Sequence, residues 1–372
     1  MNKPIYKLRD WINPEKLDWC LASNLKNSID FLKENPQYID WNALCYNPNA
    51  IELLNKNLDK IVWDNLYHNP NAISLFKKNK NKIDWEKISD NIYAIDLINE
   101  NIDKIDWKKL SSNPKAIHIL EKNIDKIDWK NLSLNPKAIH ILEKNIDKID
   151  WNNISYNQNA IDIIENNINK INICQLSSNP KAIHILEKNI DKIDWMALSE
   201  NLNAIDLLKV NHEKINWWTL SKNPNAIDLI KDNLDKIDWY RLCANPNPEV
   251  IAIIKENFDK IIYDERCWWN LSANPNAIDL IKDNLDKVDW YILCSNSNPM
   301  ILDIIEKNFD KIINDERCWW NLSENENIFI LDYEKMKENM EPLYHDIIKE
   351  VMKPERMMKN LSLYGYDVED MF

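Results

Sequence analysis

Asp106-Trp107-Lys108-Lys109-Leu110-Ser111-Ser112-Asn113-Pro114-Lys115-Ala116-Ile117-His118-Ile119-Leu120-Glu121-Lys122-Asn123-Ile124-Asp125-Lys126-Ile127 is followed at once by Asp128-Trp129, where the pattern begins again. Trp stands at 22-residue steps at Trp19, Trp41, Trp63, Trp85, Trp107, Trp129 and Trp151. Ile173 takes one turn, then follow Trp195, Trp217 and Trp239, and after wider steps Trp268, Trp290 and Trp319. A fixed period of this size means a solenoid, in which each unit buries its apolar face against its neighbours.

The local chemistry selects helices. Asp106 precedes Trp107 as an N-cap residue would, and Leu110 lies on the same helical face as Trp107. Asn113-Pro114 reads as a second start, with Asn as N-cap and Pro at the first helical position. Ala116, Ile117, Ile119 and Leu120 supply an apolar stripe for a helix of about two to three turns. Each unit is therefore read as a short helix A, with room for 3₁₀ geometry, a longer helix B, and a return loop Asn-x-Asp-Lys-Ile. The expected fold is an all-α, right-handed solenoid of about fourteen helix pairs, with a contour of about 130 Å at roughly 9–10 Å per layer. The single glycine, Gly365, argues against the tight turns of a β-solenoid.

One column never varies over most of the chain: Asn57, Asn79, Asn101, Asn123, Asn145, Asn167 and Asn189 close helix B in successive units. This structural ladder asks for a positive φ at the C′ position, a side-chain bond to buried backbone, or both. On the first reading, Asn123→Gly costs less than Asn123→Ala.

Composition narrows the function classes. The net charge of −13 argues against general binding to nucleic acid or anionic membranes. No apolar run reaches the length of a membrane span, and Met1-Asn2-Lys3-Pro4-Ile5-Tyr6 lacks the apolar stretch of a signal peptide. The seven cysteines form no Cys-x-x-Cys pair, so reduced thiols in a cytoplasmic setting are expected. The excess of Asn, Ile and Lys reads as AT-rich coding.

Along the chain, residues 1–18 fall out of register and read as an N-terminal cap. Residues 19–238 hold regular units. Residues 239–323 contain two 29-residue steps, each with a longer loop, at 262–266 and 313–317, that runs into Cys-Trp-Trp-Asn-Leu-Ser. Residues 324–372 read as a Met-rich helical cap, with one helix near Tyr333 to Met352 and another from Pro354 to about Gly365.

The repeat, the start Lys7-Leu8-Arg9-Asp10-Trp11-Ile12, and the close Lys353-Pro354-Glu355-Arg356-Met357-Met358 with Tyr364-Gly365-Tyr366-Asp367 resemble a family of tandem-repeat proteins encoded by giant DNA viruses of amoebae. The architecture also resembles, more loosely, the α/3₁₀ stack of leucine-rich variant repeats. The viral resemblance implies host cytoplasm or a virion as the setting. It implies no activity.

No catalytic constellation, phosphate loop or metal motif stands out, so neither an enzyme nor a cofactor is expected. His118, His140 and His184 share a helix B column one layer apart and read as a solvated ridge. The Lys column of the return loops follows Asp and is compensated locally, which weakens a polyanion reading. The informative column follows the Trp. It is polar in early units, then becomes Met196, Trp218, Tyr240, Trp269, Tyr291 and Trp320. Either it is an exposed recognition strip or terminal helices cover it. With Glu265, Arg266, Glu316 and Arg317 of the two long loops, this strip is the candidate partner-binding surface. The expected function is a non-enzymatic scaffold for a host or viral protein; the alternative is a structural component of a viral particle. The oligomeric state is left open.

Overall fold

The computed structural model describes residues 4–353 and Arg356. It is mostly helical, a succession of short helices at the 22-residue spacing of the sequence, consistent with a helical repeat. In the unit quoted above, helix A is Trp107–Ser112 and helix B is Ile117–Leu120. Asp106 caps helix A as expected, its Oδ1 accepting from the amides of Lys108 at 2.8 Å and Lys109 at 3.2 Å. Leu110, Ala116, Ile119 and Leu120 form this unit's share of a core that runs unbroken through the array. Trp107 is half-buried, with the Lys126 ammonium 5.0 Å above its ring. Five further units repeat this Lys-over-Trp contact, from Lys60 on Trp41 to Lys236 on Trp217. The Lys column thus covers the Trp column.

Two details of the unit differ from expectation. Helix B is no longer than helix A, because Asn113-Pro114 does not cap it. Asn113 Oδ1 instead accepts from the Lys115 amide at 3.0 Å and makes a turn, and the helix begins only at Ile117. The 3₁₀ geometry lies in the return loop, at Ile124–Lys126, and not in helix A.

Neighbouring units are joined through side-chain amides and hydroxyls. The Asn of each Asn-Pro turn is buried and reaches back one unit. Asn135 Nδ2 donates to the carbonyls of Ser111 and Asn113, both at 3.1 Å. Asn69, Asn157, Asn223, Asn245, Asn274, Asn296 and Asn325 do the same to the preceding unit. A second clip uses the serine after helix A. Ser111 Oγ donates to the Trp107 carbonyl at 2.7 Å and accepts from the Asp128 amide of the next unit at 3.0 Å. Ser111→Ala should therefore cost about 1–2 kcal/mol, measured by denaturant unfolding, because it strands a helix-start amide. The abundance of Asn, read above as a coding bias, does structural work in these turns.

The ladder at Asn57 through Asn189 is built differently from the expectation. Asn123 has φ −135° and ψ 49°, so its backbone is not left-handed. Its side chain holds the column constant: Nδ2 donates to the Ile119 carbonyl four residues back at 2.8 Å. Asn57, Asn79, Asn101, Asn145, Asn167 and Asn189 repeat that bond at 2.8–3.0 Å. Each closes its own helix B.

The array closes on itself. Ser323 Oγ, in the last unit, accepts from the Asp18 amide of the first at 2.7 Å, the same bond that joins most ordinary neighbours. The last helix A, Glu316–Ser323, packs on the first, Trp19–Ala22. Around this seam the fold departs from all-α. Strand β1, Tyr6–Leu8, pairs antiparallel with strand β2, Phe329–Leu331, with Lys7 opposite Ile330. Arg9 pairs with Asp303 at 2.8 Å, Trp11 packs edge-on against Phe309, and Lys16 Nζ donates to the Ile313 carbonyl at 2.7 Å. The segment before Trp19 thus spans a seam between the two ends. Fourteen units closing a circle turn by about 26° each, the small constant rotation that defines solenoid curvature.

Helix Tyr333–Val351 leaves the ring after β2 and is largely exposed, with Lys335 paired to Glu34. It does not cover the aromatic strip. The second expected C-terminal helix, from Pro354 to about Gly365, lies outside the described residues.

Candidate binding face of the ring

Helices A of successive units pack directly on one another, whereas helices B stand further apart. In a closed ring the tighter layer is the inner one, so helices A form the concave side. Leu110 and Ser111 turn toward the core. At about 100° per residue, the opposite side of the helix carries the first and second residues after the Trp. Of those two columns the first lines the hollow of the ring; the second is partly taken into the contacts between units, where Ala43, Thr219, Asn270, Ile292 and Asn321 are buried.

The first of them divides the hollow in two. Cys20, Asn42, Asp64, Glu86, Lys108, Lys130, Asn152 and Cys174 form a polar arc. Met196, Trp218, Tyr240, Trp269, Tyr291 and Trp320 form the other. Trp218, Trp269 and Trp320 are 44, 45 and 44% exposed, and Tyr240 and Tyr291 are half-buried. Of the two fates the sequence left open, the strip is exposed. Because the ring closes, Trp320 adjoins the first unit. There a cleft of about 650 Å³ is lined by Glu15, Lys16, Asp18, Ile313, Glu316 and Trp320.

The chain has five arginines, and three of them lie on this arc. The Arg241 guanidinium stacks on Trp218, 3.4 Å from the ring centre. Arg266 lies over Tyr240 at 5.8 Å and Arg317 over Tyr291 at 5.5 Å. Planar guanidinium groups stack on aromatic faces far better than ammonium groups do. Arg241 was not singled out from the sequence. The signal was legible, because Arg at the second position after a Trp occurs once in a chain whose cations are nearly all Lys.

Arg266 and Arg317 are held by carboxylates and Arg241 is not. Arg266 binds Asp264 through two nitrogens at 3.1 and 2.8 Å, and Arg317 binds Asp315 with the same geometry. Arg266 and Arg317 hold the carboxyls of Asp264 and Asp315 below the usual range. A depressed carboxyl contributes above its unfolded value and loses that contribution as pH falls through the folded one. Both arginines should therefore keep their orientation at neutral pH and release it only on acidification. Arg241 is held by its stack on Trp218 instead, with its Nε buried and without a hydrogen-bond partner.

The long units bring Glu265, Arg266, Glu316 and Arg317 to the arc in a form the sequence reading did not anticipate. The inserted residues add a turn to helix A, now Glu265–Ala273 and Glu316–Ser323, capped by Asp264 and Asp315. They are not two free projecting loops. The second is also tied to the seam, where the Lys16 ammonium lies 5.2 Å over Trp319.

The His column lies on the outer side, where His140 pairs with Glu121 of the preceding unit at 2.6 Å and His184 with Glu165 at 3.5 Å. No helix among the described residues is long and apolar enough to cross a membrane. No protein-family model, curated protein or solved structure matches the chain.

Proposed function

We propose that this chain is a non-enzymatic binding ring whose inner aromatic arc holds a protein partner. The observation that carries the reading is the exposed arc itself: three tryptophans nearly half exposed on one concave face, interleaved with stacked arginines. Trp, Tyr and Arg are the residues that most often anchor protein interfaces. Elsewhere in the hollow the same column is polar, so the arc is a local departure and not a requirement of the fold. In this reading the fourteen units form a right-handed ring, acting in the cytoplasm of an infected host cell or on a viral particle, without cofactor, nucleic acid or membrane. The partner is a host or viral protein, in keeping with the resemblance to giant-virus repeat proteins.

The test places a photo-crosslinking amino acid at position 269 in the arc or at position 118 on the outer side, in cells infected by a virus carrying such repeats. One defined protein should be captured from 269 and not from 118. With that protein purified, Trp218→Ala and Trp269→Ala should each weaken binding about 30-fold, the equivalent of about 2 kcal/mol for an anchor, with unchanged thermal unfolding. Equal capture from both positions, or unchanged affinity, would favour a structural role in a particle.

A further inference from the structure

Four of the seven cysteines meet in two places. Cys243 and Cys294 stand in the column that holds Ser in most units, and Cys267 and Cys318 stand in the column that holds the capping Asp of the next unit. In ordinary interfaces these two columns touch, as Ser111 Oγ does the Asp128 amide at 3.0 Å. Such a contact keeps the two Cα atoms within about 7 Å, near the upper end of the span of a disulfide. In the long units the extra helical turn satisfies the amide internally, since the Cys267 amide donates to the Asp264 carbonyl and the Cys318 amide to the Asp315 carbonyl. The serine is no longer needed, and both columns change together. All four thiols are buried, and Cys267 is the neighbour that acts most on the Cys243 thiol, as Cys318 is on that of Cys294.

Burial alone does not call for facing thiols. Cys45 occupies the same Ser column and faces Val62, so the lattice accepts an apolar residue opposite. Cys opposite Cys occurs at both long units, 51 residues apart, and each pair lies behind the aromatic arc at Trp269 and Trp320.

We propose that Cys243 with Cys267, and Cys294 with Cys318, are two inter-unit dithiol sites that a low-molecular-weight disulfide oxidises to two cross-links, bolting the aromatic arc at both long units. One thiolate attacks a sulfur of the small disulfide and releases one small thiol. The facing cysteine then attacks the protein sulfur of that mixed disulfide and releases the second. Two protein thiols are oxidised, one small disulfide is reduced to two thiols, and the two protons leave with them. In the second pair the hydrogen bond from Cys294 lowers the Cys318 thiol, which suits Cys318 to the first attack. Because all four sulfurs are buried, the reaction requires the first turn of each lengthened helix to open, beside the exposed Tyr263 in one case and Asn314 in the other.

The full chain is incubated with glutathione disulfide, quenched in acid, alkylated after unfolding and mapped by mass spectrometry. The expected map links Cys243 to Cys267 and Cys294 to Cys318, leaves Cys45 alkylated, and is accompanied by a rise in thermal midpoint that dithiothreitol reverses. C267S with C318S should show neither bridge and no such rise. Free thiols at either pair, or either pair joined to another cysteine, would overturn the proposal. Should the double variant fold poorly, the map of the natural chain decides alone.

Discussion

Asn135→Ala should destabilise the protein by about 2–4 kcal/mol, the largest effect expected of any exchange that removes so few atoms. The side chain is 1% exposed and satisfies three backbone groups at once. It donates to the carbonyls of Ser111 and Asn113 and accepts from the Lys137 amide at 3.0 Å. Alanine leaves all three without that partner, two of them across the interface between units. Asn135→Asp should be at least as costly, because a carboxylate would face two carbonyl oxygens. Asn123→Ala removes one bond within a single helix and should cost about 1 kcal/mol. Asn123→Gly should be no better tolerated than alanine, because at φ −135° there is no left-handed strain for glycine to relieve. Denaturant unfolding of the four variants ranks them. Equal losses at 123 and 135 would remove the distinction between a clip within a unit and one between units.

Deleting residues 2–17 should have the other large effect. The segment buries Leu8, Ile12 and Leu17 and packs Trp11 on Phe309. At about 1.5–3 kcal/mol for each large apolar side chain, its removal forfeits about 6–10 kcal/mol of burial. The loss falls at the seam. Leu25 occupies the place of the Asn-Pro asparagine in the first unit, so the seam lacks the buried amide clip that other neighbours share. Among the described residues the Ser323 to Asp18 bond, the Lys26 amide to Glu326 contact at 3.0 Å and the Lys335 to Glu34 ion pair would then be the polar bridges between the two ends. The truncated chain should unfold at a lower temperature and in two steps, the end units first, as one-dimensional arrays do. A single transition at the original midpoint would show that the seam contributes nothing.

The unit was legible because its signals are local. Asp before Trp caps a helix, Asn-Pro opens a turn, and the apolar spacing selects a helical face. The reading failed where the partner lies one unit away. Asn113 and Asn123 look alike in sequence, yet the first reaches back to a carbonyl of the preceding unit and the second to one of its own helix, and which carbonyl a side chain reaches depends on how two units stack. Closure was beyond reach for the same reason. Tyr6–Leu8 and Phe329–Leu331 carry no mark of each other, and a curve that closes after fourteen units is the sum of rotations too small to read in one. The aromatic column was legible in full. Its concave placement was not, because that follows from which helical layer is the tighter.

Small-angle X-ray scattering of the intact chain tests the closed ring most directly. Helix layers at roughly 9–10 Å around a circle, with helices B outside helices A, give a largest dimension of about 70 Å and a hollow centre. The scattering should return that dimension, with a dip in the distance distribution from the hollow. A largest dimension near 130 Å, the length of the same units in an open array, would contradict the ring and with it the concave arc.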